Sequence, residues 1–364
     1  MLRDYFCIGT SKSVSEAVEV ATKQLDEAKF MVFISNYEYF DEATQILHEK
    51  YPLATIIGIT GYVYSKSDTV KEFVAVWAIN EGIEFQCDVM EDLQEYPIKH
   101  IKKLEQAVNR VKPGKENTIC LAFMTNNQDV VTTTLNSVLV KNQIDLIGAT
   151  PLRGLQYENP LGDKVSLNGV VYTNSCVYAI IKNTGGKIKV YKENIYRAIG
   201  QRMLVNKVNE ETGEVIELNG KPAIQEYNRV VSEINDEKEH TIIPNSICRL
   251  VGNQEFTLVT YIKPESVVCM KKLMPNDVIC AAELGDYKQI NDETIKQIKA
   301  DFNHISTIFT IDCIFRNITF DELNYTSTYL SKIQEMGKHI GMISGGETYK
   351  MQSTHQAMVC AVFE

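Results

Sequence analysis

The sequence has no Cys-x-x-Cys, no His-x-x-x-His and no uninterrupted basic block, and each lack removes a class of protein. Without paired thiols or helix-spaced histidines, a structural zinc site has no ligand set. Six histidines, at 48, 100, 240, 304, 339 and 355, stand singly. The phosphate-loop signature G-x-x-x-x-G-K-[ST], the dinucleotide fingerprint G-x-G-x-x-G and the nucleophile elbow G-x-S-x-G are also missing, so nucleotide binding and hydrolase chemistry lack support. No apolar run comes near the ~20 residues that cross a bilayer. The opening MLRDYFCIGTS mixes charge with a strand-like run, unlike a secretory leader. The net charge of −10 leaves no surface suited to phosphates, so neither nucleic acid nor a membrane is expected as a partner, and a neutral or amine-bearing ligand fits better. Nine cysteines, an odd number, sit mostly inside strand-like runs (Cys7, Cys120, Cys176, Cys313, Cys360), the pattern of reduced thiols packed as small apolar residues in the cytoplasm.

What is present is a repeat. Ile305 to Phe363 reads as an apolar run (IFTIDCIF), a helical segment, a second run closing on IGMISGGE, and AMVCAVF. The same order appears from Phe30, through the helical segment Asp41 to Lys50, TIIGITG and FVAVWAI, and again from Thr118, through a helical segment ending near Val140, LIGATP and VVYTNSCVYAII. Strand, helix, a strand ending in glycine and a further strand is thus written three times. The loops after Gly58, Gly148 and Gly341 are therefore expected in equivalent places. Strands outnumber helices, which predicts an α/β fold of mixed β-sheets with outer helices, built from repeated β-α-β-β units.

At 364 residues, 44% hydrophobic and 23% charged, the chain is long enough for two globular domains. The pattern resumes at KIKVY, after Gly185-Gly186, as though entering a new sheet, which places the boundary near Tyr191 and the domains at 1–190 and 191–364. Local signals fill in the path. Ser13 and Glu16 form a capping box, Pro97 opens a helix that Lys112-Pro113-Gly114 ends, and Asn168-Gly169 makes a hairpin. A helix is expected over Asp292 to Phe302, and Thr319 with Glu322 reads as a second capping box.

The richest chemistry lies in Gly341-Met342-Ile343-Ser344-Gly345-Gly346-Glu347, where a buried strand exits into a small-residue turn with one hydroxyl and one carboxylate. Such a turn lets a ligand approach backbone N–H groups, and Glu347 could hold an amine with Ser344 sharing the hydrogen bonds. The alternative is a tight turn whose glycines only permit positive φ, with Glu347 in water. Arg316, read as the end of the strand IDCIFR, could present its fork to a carboxylate, or pair at the surface with Asp312 or Asp321. Cys313 is a nucleophile only if a base lies beside it, and otherwise inert packing. His355 leads the last strand and could meet the glycine turn or serve as an axial haem ligand. Gly58, Thr60, Gly148, Thr150 and Arg153, with Gly341 and Gly346, complete the candidate ligand set from the three bends.

The order of motifs resembles the FIST family. ELNGKPAIQEY at Glu217 to Tyr227, IDCIFR at Ile311 to Arg316, GMISGGE at Gly341 to Glu347 and HQAMV at His355 to Val359 are similar to that family's C-terminal blocks. LIGATPLRG at Leu146 to Gly154 is similar to a glycine strand of its N-terminal half, whereas Val63 and Tyr64 stand where a Gly-Glu pair is usual. The resemblance implies a bacterial sensory module of N- and C-terminal FIST domains that binds a small molecule such as an amino acid and has no catalytic residue. It also implies a signalling output, whether a chemotaxis receptor, a histidine kinase or a diguanylate cyclase, reached as a partner or as part of a longer chain. Some members are haem-dependent nitric oxide sensors, so haem is the alternative cofactor to none. A third reading, from the residues alone, is an enzyme acting on a bound metabolite through Cys313 or Glu347.

Overall fold

Three stretches with the same apolar alternation make three six-stranded sheets, and a computed structural model shows how they are joined. It describes residues 2–66, 68–70, 72–93, 97–125, 128–152, 163–209, 211–235, 246–263, 265–269 and 272–364. The candidate Arg153 lies outside them. By its internal contacts the chain divides into two compact units, Met1–Lys192 with Ile295–Ser353 and Met358–Glu364, and Glu193–Thr294 with Thr354–Ala357.

In the first unit each repeat supplies a parallel strand pair linked by helix: Phe30–Ser35 with Thr55–Thr60, Thr118–Met124 with Asp145–Thr150, and Thr307–Cys313 with Lys338–Ser344. A fourth strand, Val74–Glu81, Cys176–Asn183 or Ala357–Phe363, then pairs antiparallel with the first of its own repeat. The strand between them does not stay at home. Tyr62–Tyr64, after the first repeat's second strand, joins the third sheet beside Lys338–Ser344. Val165–Leu167 of the second repeat joins the first sheet, and Gly346–Tyr349 of the third joins the second sheet. Each sheet is thus completed by a strand lent from another repeat, and the loans close a ring.

The three inner faces share one core, in which Ile34, Ile59, Trp77, Phe123, Ile147, Phe309, Ile311 and Phe363 are all buried. Helices cover the outer faces. Val14, Ala17, Val18 and Ala21, the buried stripe of a helix whose N-cap Ser13 accepts from the Glu16 N–H, pack with Phe40, Ala43 and Leu47 over the first sheet. Leu104, Val108, Val131 and Leu135 do the same over the second. Burying each of the valine, leucine and phenylalanine side chains among these stabilises the fold by roughly 1.5–3 kcal/mol.

In the second unit the described residues form an antiparallel seven-stranded sheet from Tyr196–Val208 to Lys221–Pro222 that closes on itself where Tyr196–Val208 also pairs with Glu214–Leu218, and the helix Ala223–Asn235 sets Ala223, Tyr227 and Val230 against it. One expectation needs correction. KIKVY does not open a new sheet: Ile188–Asn194 is the edge strand of the third sheet, beside Ala357–Phe363. By its internal contacts the third repeat groups with residues before 193. The local pattern of an edge strand is the same whichever sheet receives it, so the sequence could not separate the two cases.

Other signals fell where the residues put them. Asn168 and Gly169 turn with φ of 49° and 81°, and Lys112 closes its helix at φ 51°. The helix expected over Asp292 to Phe302 runs Tyr287–Asp301. Thr319 is not a cap but lies inside the helix Ile314–Glu322, its Oγ1 donating to the Phe315 carbonyl at 2.9 Å. The nine cysteines are all free thiols, seven of them buried.

Candidate functional site

The registers make the repeats superimposable residue by residue. Phe33 pairs with Gly58, Ala122 with Gly148 and Thr310 with Gly341, so the three glycines occupy one position written three times. Each is opposed by the borrowed strand. Ser166 faces Gly58 and Thr348 faces Gly148, while a Cβ on Gly341 would lie 2.7 Å from the ring of Tyr64 and from that of His339. At Gly58 and Gly341 the missing Cβ makes room both for a side chain of the borrowed strand and for one of the same repeat, Phe33 or His339, and at Gly148 the nearest atom is the Ala122 carbonyl oxygen at 2.8 Å.

Beyond them the bends interlock. The Leu152 N–H donates to the Thr60 carbonyl at 3.0 Å and the Gly345 N–H to the Thr150 carbonyl at 3.1 Å. Thr150 Oγ1 donates to the Gly346 carbonyl at 3.3 Å. A Cβ on Gly61 would sit 2.8 Å from the Ile343 carbonyl oxygen, and one on Gly345 2.7 Å from that of Pro151. The second reading of the turn is corrected: none of Gly341, Gly345 and Gly346 has positive φ, and Glu347 is wholly buried instead of in water. Close backbone approach is what requires glycine here.

Glu347 is the odd residue of a core layer. One step beyond the glycines, the first sheet contributes Ala75, Ile34, Ile59 and Val165, and the third Val359, Ile311, Met342 and Val63. The second contributes Val177, Phe123, Ala149 and Glu347. A carboxylate therefore stands where its two counterparts are valines. The Ser344 hydroxyl lies 3.0 Å from Glu347 Oε1 and 3.5 Å from the Asp312 carbonyl, linking this layer to the helix-covered side of the third sheet.

There the polar cluster continues. The strand ends at Cys313, so Arg316 is in the first turn of the helix Ile314–Glu322 and not at a strand end as the sequence reading has it. It is fully buried, paired with Asp312 four residues back in the preceding strand, with its guanidinium 4.3 Å from the Phe320 ring centroid and 4.5 Å from that of Tyr329. The Tyr329 hydroxyl donates toward Asp312 at 3.2 Å. Asp312 is thus the partner the sequence offered, but in the interior instead of at the surface. Tyr64 completes the wall, edge-on to Tyr329 at 6.2 Å and stacked on His339 at 6.4 Å. Burial pushes its phenol up, with Asp312 adding and Arg316 opposing. His339, 2.9 Å from Thr310 Oγ1, is lowered to about 4 by burial.

Of the candidates, then, Gly341, Ser344, Gly346, Glu347, Cys313, Arg316, Gly148, Thr150 and Thr60 are brought into this junction and its flank. Gly58 takes the equivalent place in the first sheet. Cys313 is wholly buried and precedes the helix as its N-cap residue. His355 groups with the second unit, where its N–H donates to the Thr257 carbonyl at 2.8 Å. Tyr64, Tyr329 and His339 were not singled out from the sequence as ligand residues. The one signal was the departure at Val63-Tyr64 from the family pattern. Among the described residues no group of His, Cys, Asp and Glu could hold a metal ion, and no helix is long and apolar enough to cross a membrane.

A family model described as the FIST N domain matches residues 30–221, just over half of the chain. No curated protein matches it. A solved structure titled as a crystal structure of chorismatase is similar over 100% of this chain and 99% of its own, at 8% identity and a TM-score of 0.35, a likeness too distant to argue from.

Proposed function

The chain belongs to the FIST family of sensory domains, and on that premise we propose that it is a cytoplasmic sensor of a small polar metabolite, such as an amino acid, bound where the third repeat meets the strands of the first and the second. In this reading Arg316 takes the ligand carboxylate, Glu347 an amino group, and Ser344 shares the hydrogen bonds between them. The 191–364 segment serves as the FIST C-terminal half, and binding is passed to a signalling partner through a conformational change.

One observation carries the reading. Glu347, the acid in the second sheet's core layer, and the buried Asp312–Arg316 pair of the third sheet are bridged by Ser344, whose hydroxyl lies 3.0 Å from Glu347 Oε1 and 3.5 Å from the Asp312 carbonyl. Burying such groups costs several kcal/mol each before pairing, and replacing a buried pair by apolar residues is often neutral or stabilising. Valines at the counterpart positions of Glu347 show that the layer itself can be apolar. A ligand is the reason to keep the charge. The family's sensory character also favours binding over turnover, and Cys313 is wholly buried.

Thermal unfolding with the common amino acids and small organic acids at millimolar concentration tests this. At least one should raise the midpoint in proportion to the logarithm of its concentration, as mass action requires. The shift should vanish in Arg316→Met. Shifts from none of them, or a shift indifferent to Arg316→Met, would remove the assignment.

A further inference from the structure

We propose that Tyr64 is a built-in plug of this corner and that the ligand displacing it is a small aromatic carboxylate. The inference rests on the reading above, that the corner is a ligand site, and adds what fits there and what must move.

At the three equivalent hairpin positions the residue opposite the glycine is Ser166, Thr348 and Tyr64. Two corners take a short side chain and the third a flat ring. That ring lies between Tyr329 and His339, and its buried hydroxyl has no hydrogen-bond partner among the described residues, although Asp312 and Arg316 are within electrostatic reach. The corner therefore already accepts an aromatic ring, and it leaves that ring's polar head unpartnered near a guanidinium. A carboxylate in place of the phenol would make a charge-assisted, two-pronged bond to Arg316 that a neutral hydroxyl cannot match. Aromatic ligands lacking the acid would gain nothing over Tyr64, and aliphatic acids would leave the ring faces uncovered.

The strand carrying the plug is also the most weakly held of its kind. Gly346–Tyr349 is laddered to its host at four positions and Val165–Leu167 at three. Tyr62–Tyr64 is laddered at two, Tyr62 with Ile343 and Val63 with Met342. Its companion strand is tied by Asn317 Nδ2 to Thr69 Oγ1 at 3.3 Å, and Gln334 Nε2 reaches the Lys66 carbonyl at 3.2 Å. Release of Tyr64 consequently disrupts the least backbone pairing of the three, and local openings follow such differences.

Two measurements on the full chain decide it. Calorimetric titration with benzoate and, as the aliphatic control, acetate should show Tyr64→Ala binding benzoate at least tenfold more tightly than wild type, with acetate unchanged. Amide exchange of ligand-free wild type should be at least tenfold faster at 62–64 than at 165–167 and 346–349. Equal benzoate affinities, an equal gain for acetate, or equal exchange in the three strands would each overturn the proposal. Should Tyr64→Ala not fold, Asn317→Ala leaves the ring and loosens its strand. It should raise both the exchange at 62–64 and the affinity for benzoate, and a variant that raises neither overturns the plug. The site reading fails by a different sign, an amino-acid shift that survives Arg316→Met.

Discussion

Asp312 and Arg316 are both inaccessible to solvent, so each is tolerable only because the other is there. Asp312→Ala should therefore cost on the order of 3–5 kcal/mol, since it strands a buried guanidinium. Replacing both, as Asp312→Leu with Arg316→Met, should cost far less than the two single changes summed. Urea denaturation of the two singles and the double gives the coupling directly. Additive effects would mean that the pair is not the interaction described. Glu347 and Gly341 show how far one residue could be read from the sequence. The turn was visible as a cluster of small residues with a carboxylate. Its burial was not, because what buries Glu347 is the second repeat's strand, some 200 positions away and recognisable only once the loan between sheets is known. The same holds for Tyr64 and His339, which meet through Gly341 and share no spacing in the chain.

His339 gives the pH dependence at this scale. Its pKa falls from 6.5 to about 4 through burial. The folded protein then refuses a proton that the unfolded chain accepts. Stability should be at its full value above pH 6.5 and fall as pH drops toward 4, by at most about 3 kcal/mol for a group that keeps some contact with solvent. Urea midpoints between pH 4.5 and 7.5 check it. His339→Gln, which still offers Thr310 a partner, should flatten the slope in that window relative to wild type.

At the scale of elements, the three bends are joined mainly through their backbones, and two of the joints leave no room for a methyl group. Gly61→Ala would press a Cβ against the Ile343 carbonyl and Gly345→Ala one against the Pro151 carbonyl. Neither obstacle is a side chain that can rotate away. Each substitution should cost about 1–3 kcal/mol, as overpacking does. Gly220→Ala is the comparison: a Cβ there meets nothing within 4 Å, and only its φ of 74° opposes the change. Differential scanning calorimetry should rank Gly61→Ala and Gly345→Ala below it. The elements themselves were legible because strand, helix and glycine-ended strand leave period-two and period-3.6 patterns that local residues fix. Which sheet receives Tyr62–Tyr64, Val165–Leu167 or Gly346–Tyr349 was not. An extended segment between two apolar faces reads the same in its own sheet or another's.

Across the first unit as a whole, the ring of loans has a thermodynamic consequence. If each repeat kept its own strands, three cores could melt separately, as stacked repeats with nearest-neighbour contacts do. Here the first sheet needs a strand from the second repeat, the second from the third, and the third from the first, around one shared apolar core. Opening any sheet exposes residues of the other two, so the repeats should unfold together. Native-state amide exchange would then give one common opening free energy for the central strands Phe30–Ser35, Thr118–Met124 and Thr307–Cys313. A destabilising change in one sheet, such as Ile311→Ala, should lower all three by the same amount, about 2–5 kcal/mol. A loss confined to the third sheet would show three modules that merely touch. A loss shared by all three also bounds how the protein can signal. A ligand in one corner could not loosen its own repeat alone, and what remains free to move is the short strand pair that carries Tyr64.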